Sequence, residues 1–102
     1  MRDLVEHEFN TGKGIVHYWT SRCSSTPAQS APWLVFLPGL TADHTLFNEQ
    51  IAHFVGTYNV FVWDAPAHGF SRPYPLDFSM DDYARILHAI LQTEDIRRPV
   101  LV

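Results

Sequence analysis

Cysteine is nearly absent from this chain: there is one, Cys23. A single thiol excludes an internal disulfide framework and a Cys-x-x-Cys motif, and it fits a reducing compartment. Positive charge is also scarce. Seven Lys and Arg are scattered against eleven Asp and Glu, for a net charge of −4. No basic stripe is available to neutralise phosphates, which argues against nucleic-acid binding and against docking on anionic membranes. No apolar run approaches the roughly 18 residues that span a bilayer, so stable membrane insertion is not expected. The segment Met1 to Asn10 lacks a basic stretch followed by a long apolar one and is not read as a secretory signal. No glycine-rich phosphate loop follows any apolar run, so no nucleotide cofactor is implied. A soluble, cytoplasmic protein is the expectation.

Hydrophobic residues make up 46% of the chain and charged residues 18%, a globular composition. Leu4 to Phe9 alternates in character, as a strand with one covered face does. Asn10 to Gly14 reads as a hairpin turn, and the β-branched and aromatic run Ile15 to Thr20 as the returning strand. Ser21 to Pro32 is small and polar, and is expected to be a surface loop rather than a domain boundary, because a lone hairpin is not stable in water. Trp33 to Leu37 and Asn59 to Trp63 are continuous apolar runs, which suit strands covered on both faces; Pro99 to Val102 begins a third. Between the first two, Phe47, Ile51, Phe54 and Val55 mark one face of a helix, with Gly56 at its stop. Tyr83, Ile86, Leu87, Ile90 and Leu91 form the apolar stripe of a second helix. Ser79 is placed to cap it, with Asp81 and Asp82 in its first turn. Helices that link consecutive buried strands imply a largely parallel sheet, here with an antiparallel entry hairpin.

Two turns carry the candidate chemistry. The first, Leu37-Pro38-Gly39-Leu40-Thr41, follows a buried strand. Gly39 has no Cβ, so it can turn the chain sharply and let a ligand come close, and the next backbone N–H belongs to Leu40. Preorganised N–H groups stabilise charge on a carbonyl oxygen during acyl transfer; losing one costs roughly 3–4 kcal/mol. The second turn, Asp64 to Ser71, holds Asp64, His68 and Ser71 within one short stretch. A catalytic triad is rejected there, since triad members meet in space rather than in sequence. His68 is read instead as a hydrogen-bonded loop residue. His7, His17, His53 and His88 show no metal-ligand spacing, and a metal site is not expected. His44 lies close behind the first turn, where it could line a pocket, although an exposed helix start is the simpler reading. Cys23 is read as a bystander in a polar loop.

The order of these pieces resembles the front half of an α/β-hydrolase: buried strand, Pro38-Gly39-Leu40, a helix with Asp43, Phe47 and Gln50, a second buried strand, then Asp64-x-Pro66-x-His68-Gly69-x-Ser71 and a capped helix. The resemblance spans Phe9 to Val102 and matches the family's D-x-P-G-H-G-x-S segment except at Ala67, where Gly is usual. Ala tolerates positive φ poorly, which suggests a different loop conformation there. The resemblance implies an N-terminal α/β-hydrolase portion over residues 1–102, with Leu40 supplying an oxyanion donor and Gly39 and Leu40 bordering the substrate. It implies a small-molecule ester as substrate and no cofactor. Nucleophile, acid and histidine are expected beyond Val102, so the chain alone is expected to be inactive, and to aggregate or require a partner. Epoxide hydrolases and haloalkane dehalogenases share this front half, which leaves the nucleophile open between Ser, Cys and Asp. A non-catalytic, partner-binding module is the alternative from outside the family, and the oligomeric state is left open.

Overall fold

The computed structural model describes residues 4–23, 31–39 and 41–102. Five strands form one sheet: β1 (Val5–Asn10), β2 (Ile15–Ser21), β3 (Trp33–Phe36), β4 (Asn59–Trp63) and β5 (Val100–Leu101), in the order β1-β2-β4-β3-β5. β1 and β2 form the expected hairpin, paired from Val5 opposite Thr20 to Asn10 opposite Ile15. β2 joins β4 antiparallel, while β4, β3 and β5 run parallel to one another. The parallel core is thus three strands, and the hairpin extends it on one side. β5 forms the opposite edge, where Val100, Leu101 and Val102 are exposed.

Two helices cover the two faces. Helix α1 (Asn48–Phe54) follows a single 3-10 turn at His44–Phe47 and buries Ile51 against Trp19, Phe36, Val60 and Val62. Helix α2 (Met80–Thr93) buries Ile90 and lays Tyr83, Ile86, Leu87 and Leu91 over Val16, Tyr18, Val35, Phe61 and Trp63. Every residue of β4 is buried, because a helix lies on each face and a strand on each side. That environment is what its unbroken apolar run anticipates. The start of α2 is a complete capping box. Ser79 Oγ accepts the Asp82 N–H at 3.2 Å, and the Asp82 carboxylate accepts the Ser79 N–H at 2.9 Å.

The expectation for Cys23 is corrected here. Its side chain is buried rather than lying in an open loop, and its thiol donates to the carbonyls of Gly56 and Thr57, each at 3.3 Å. The cause is Asn59, which is fully buried at the start of β4. Its Oδ1 accepts the Cys23 N–H at 2.6 Å, and its Nδ2 donates to the Ala31 carbonyl at 3.1 Å. One side chain therefore pins both ends of the polar stretch, whose residues 24–30 lie outside the described residues. Ser21, read as the start of that loop, is the last residue of β2.

Candidate active site

Parallel strands end together, so the loops after β3 and β4 meet at one rim of the sheet. Asp64, the residue after β4, is their hub. Its side chain is fully buried and gathers three donors. Oδ1 accepts the His44 N–H at 2.6 Å, and both oxygens lie 3.0 Å from His44 Nδ1. Oδ2 accepts the Phe70 N–H at 2.8 Å. A carboxylate offers only acceptors, so the arrangement assigns the imidazole proton to Nδ1.

The expectation of an exposed His44 is therefore overturned. The imidazole is held by Asp64 on its edge and stacks on Trp19, with ring centroids 3.8 Å apart and planes 22° from parallel. It borders a hollow of about 220 Å³ with Leu4, Glu6, Trp19, Thr45 and Asn48. Beside it, Asp43 caps the 3-10 turn. Hydrogen bonds from the Thr45 hydroxyl and N–H lower its carboxyl below the ordinary value.

In the second loop, Ser71 is fully buried with both hydroxyl roles taken. Its Oγ donates to the Asp64 carbonyl at 2.6 Å and accepts the His17 N–H at 2.9 Å. His68 Nδ1 lies 3.0 Å from the Pro66 carbonyl and 3.4 Å from the Tyr83 hydroxyl, so its bonds stay within the loop and helix α2. No nucleophile–base pair joins Ser71 to His68, in accord with rejecting a triad there. Gly69 has a φ of +48°, and a Cβ at that position would overlap the Asp64 carboxylate.

The conformational expectation for Ala67 is overturned. Ala67 takes a φ of +72° in spite of its Cβ. The loop imposes this by closing on itself: Ala67 N–H donates to the Ser71 carbonyl at 3.1 Å, and Ser71 N–H to the His68 carbonyl at 2.8 Å. Left-handed backbone costs an L-residue roughly 1–2 kcal/mol, which the buried Asp64–Ser71 network offsets.

In the first loop, Gly39 is exposed, and among the described residues a Cβ there would meet nothing within 4 Å beyond its chain neighbours. That leaves open space for an approaching ligand. Thr41, in the same turn, is left-handed, with a φ of +69°. Leu40, assigned the oxyanion donor from the resemblance, lies outside the described residues. A second hollow lies elsewhere. About 910 Å³ lies outside the second loop, against His17, Phe70, Arg72, Tyr74 and Leu76. Among the described residues no three His, Cys, Asp or Glu side chains come together to hold a metal. No helix among them is long and apolar enough to cross a membrane.

The remaining histidines are dispersed. His17 Nδ1 pairs with Glu6 at 2.8 Å. His7 Nε2 lies 2.8 Å from Thr20 Oγ1 and its ring stacks on Tyr18, whose hydroxyl donates to Glu94 at 2.6 Å. Burial, reinforced by that bond, raises the Tyr18 phenol above its ordinary value. His53 and His88 are exposed on α1 and α2.

A mixed sheet with helices on both faces, and loops meeting at the ends of its parallel strands, defines an α/β architecture with a rim site. The sequence profile of the alpha/beta hydrolase fold matches residues 32–102, and the chain belongs to that family. Solved structures agree in fold. An alpha/beta hydrolase from Novosphingobium aromaticivorans is 23% identical with a TM-score of 0.83, covering 99% of this chain and 35% of that one. The enol-lactonase from Burkholderia xenovorans is 19% identical with a TM-score of 0.77, covering 93% and 35%. A haloalkane dehalogenase variant from Bradyrhizobium elkanii is 18% identical with a TM-score of 0.78, covering 97% and 31%. The chain thus spans about a third of the length of these structures. The sequence finds no match among the curated proteins.

Proposed function

We propose that this chain forms the oxyanion side of a cytoplasmic serine hydrolase acting on carboxylic esters. The observation that carries the reading is the turn after β3. Gly39 is exposed with open space around it, at the rim where α/β sheets bind ligands, and the Leu40 N–H follows it. Family membership supports the same place for one oxyanion donor. Similarity in fold to an enol-lactonase favours an ester carbonyl, since a lactone is an internal ester. In this reading a serine attacks the carbonyl carbon, histidine takes its proton, and Asp or Glu orients the histidine. A segment equivalent to the remaining two thirds of the related structures supplies those three groups. The chain contributes the Leu40 amide and no cofactor.

A fluorophosphonate probe tests this on the polypeptide that carries both parts. Stoichiometric labelling of a serine outside residues 1–102, with loss of ester turnover, is the expected result. The 102-residue chain alone should take up no label. Absence of labelling in the longer polypeptide, or labelling at Ser71, would overturn the reading.

A further inference from the structure

We infer that His44 is a positioning residue: its imidazole, bonded to Asp64 and stacked on Trp19, latches Thr41 to Asp43, the downstream limb of the turn after β3, in place. The inference rests on the reading of that turn as the oxyanion donor. Among the described residues, the segment from Pro38 to Asp43 makes no backbone hydrogen bond to the sheet. Its bonds are local: Ala42 N–H to the Gly39 carbonyl at 3.0 Å, and Thr45 N–H to the Asp43 carboxylate at 2.9 Å. Upstream, the segment is tied where Leu37 N–H donates to the Val102 carbonyl at 3.2 Å. Downstream, it is tied at His44. Among the described residues of this stretch, His44 is the one that reaches the loop after β4.

At that second point the backbone N–H would serve with any residue, but the Nδ1 donor and the flat ring are particular to histidine. Asp64 holds the ring edge while Trp19, on β2, covers one of its faces. Phe70 adds a third aromatic, its centroid 5.1 Å from the imidazole. Asp64 is itself held by Phe70 N–H, so the latch joins both rim loops to one buried carboxylate. The left-handed Thr41 makes such a latch necessary, since a β-branched residue leaves that conformation readily unless its surroundings hold it.

Backbone amide hydrogen exchange on the polypeptide that carries both parts of the fold, read by mass spectrometry, tests this without any need for turnover. His44→Ala removes the Nδ1 bond and the stack but keeps the backbone bond. It should speed exchange across residues 38–43 by about tenfold, the loss expected for one hydrogen bond to a charged group, with β4 unchanged. His44→Asn returns an N–H donor at similar reach but no ring to stack on Trp19, and should recover part of the protection, exchanging at a rate between His44→Ala and the parent. His53→Ala, on the exposed side of α1, should change nothing in this segment. The inference is overturned if His44→Ala leaves residues 38–43 unchanged, if His44→Asn exchanges as fast as His44→Ala, or if exchange rises uniformly over the chain. Failure of the hydrolase reading would appear separately, as missing probe label with the exchange pattern intact.

Discussion

Replacing Asp64 should cost more stability than any other single polar change in this chain. Asp64→Ala strands three donors that now converge on one carboxylate: His44 N–H, His44 Nδ1–H and Phe70 N–H. A hydrogen bond to a charged group contributes roughly 1.5–3 kcal/mol, and a buried donor left unmade forfeits it. The three losses are not independent, because the two from His44 share one side chain that lies at the edge of a hollow and can take up water. The total should therefore be about 3–5 kcal/mol, within a domain stability of order 5–15 kcal/mol. In urea, with a slope near 2 kcal/mol/M, the midpoint should fall by about 2 M. Asp64→Asn keeps the shape, yet it offers one acceptor oxygen and turns an N–H₂ toward a donor, so it should recover at most about half of the loss. In the polypeptide that carries the rest of the fold, far-ultraviolet circular dichroism and tryptophan fluorescence should report one coincident transition in each case. A loss below about 1 kcal/mol for Asp64→Ala would refute the view that this carboxylate organises both rim loops.

Three further outcomes follow from the same geometry. Ser71→Ala deletes a buried hydroxyl that both donates and accepts, and should lower stability by about 2 kcal/mol in urea denaturation, as for a structural group rather than a nucleophile. Ala67→Gly relieves the φ of +72° and should raise the urea-derived stability by up to about 1 kcal/mol; a loss would show that the Ala67 side chain matters more than its backbone. In acid, the lowered carboxyls of Asp43 and Asp82, held by bonds from Thr45 and Ser79, add stability above their ordinary value of 3.8. That stability should decline as pH falls below 3.8 through their folded values, and a denaturation series should show a smaller decline in Ser79→Ala.

Much of the fold could be read from local pattern. The capping box at Ser79 and Asp82 shows in the sequence because its partners are three residues apart and its energetics are local. The unbroken run Asn59 to Trp63 signals a strand covered on all sides, which is where β4 lies. The stripe Tyr83 to Leu91 signals the face that packs on the sheet. The features that local pattern does not reveal depend on contacts distant in sequence. His44 reads as a helix-start residue until Asp64, twenty positions on, is seen to lie under it. Cys23 reads as a loop residue until Asn59, thirty-six positions on, draws it inward. The left-handed Ala67 could not be foreseen from propensity, because a closed ring of loop hydrogen bonds overrides it. Asp64 is marked in the sequence by its match to the family's segment, while its buried role as an acceptor for His44 depends on a contact twenty positions away.

The central claim is that the amide of Leu40 stabilises charge arising on a substrate carbonyl. Exchanging the Gly39–Leu40 amide for an ester by semisynthesis, within the polypeptide that carries the rest of the fold, removes that single N–H and little else. The account predicts a fall in kcat for ester hydrolysis of about 10²–10³ with KM nearly unchanged. An ester-linked enzyme that turns over as fast as its amide parent would contradict it.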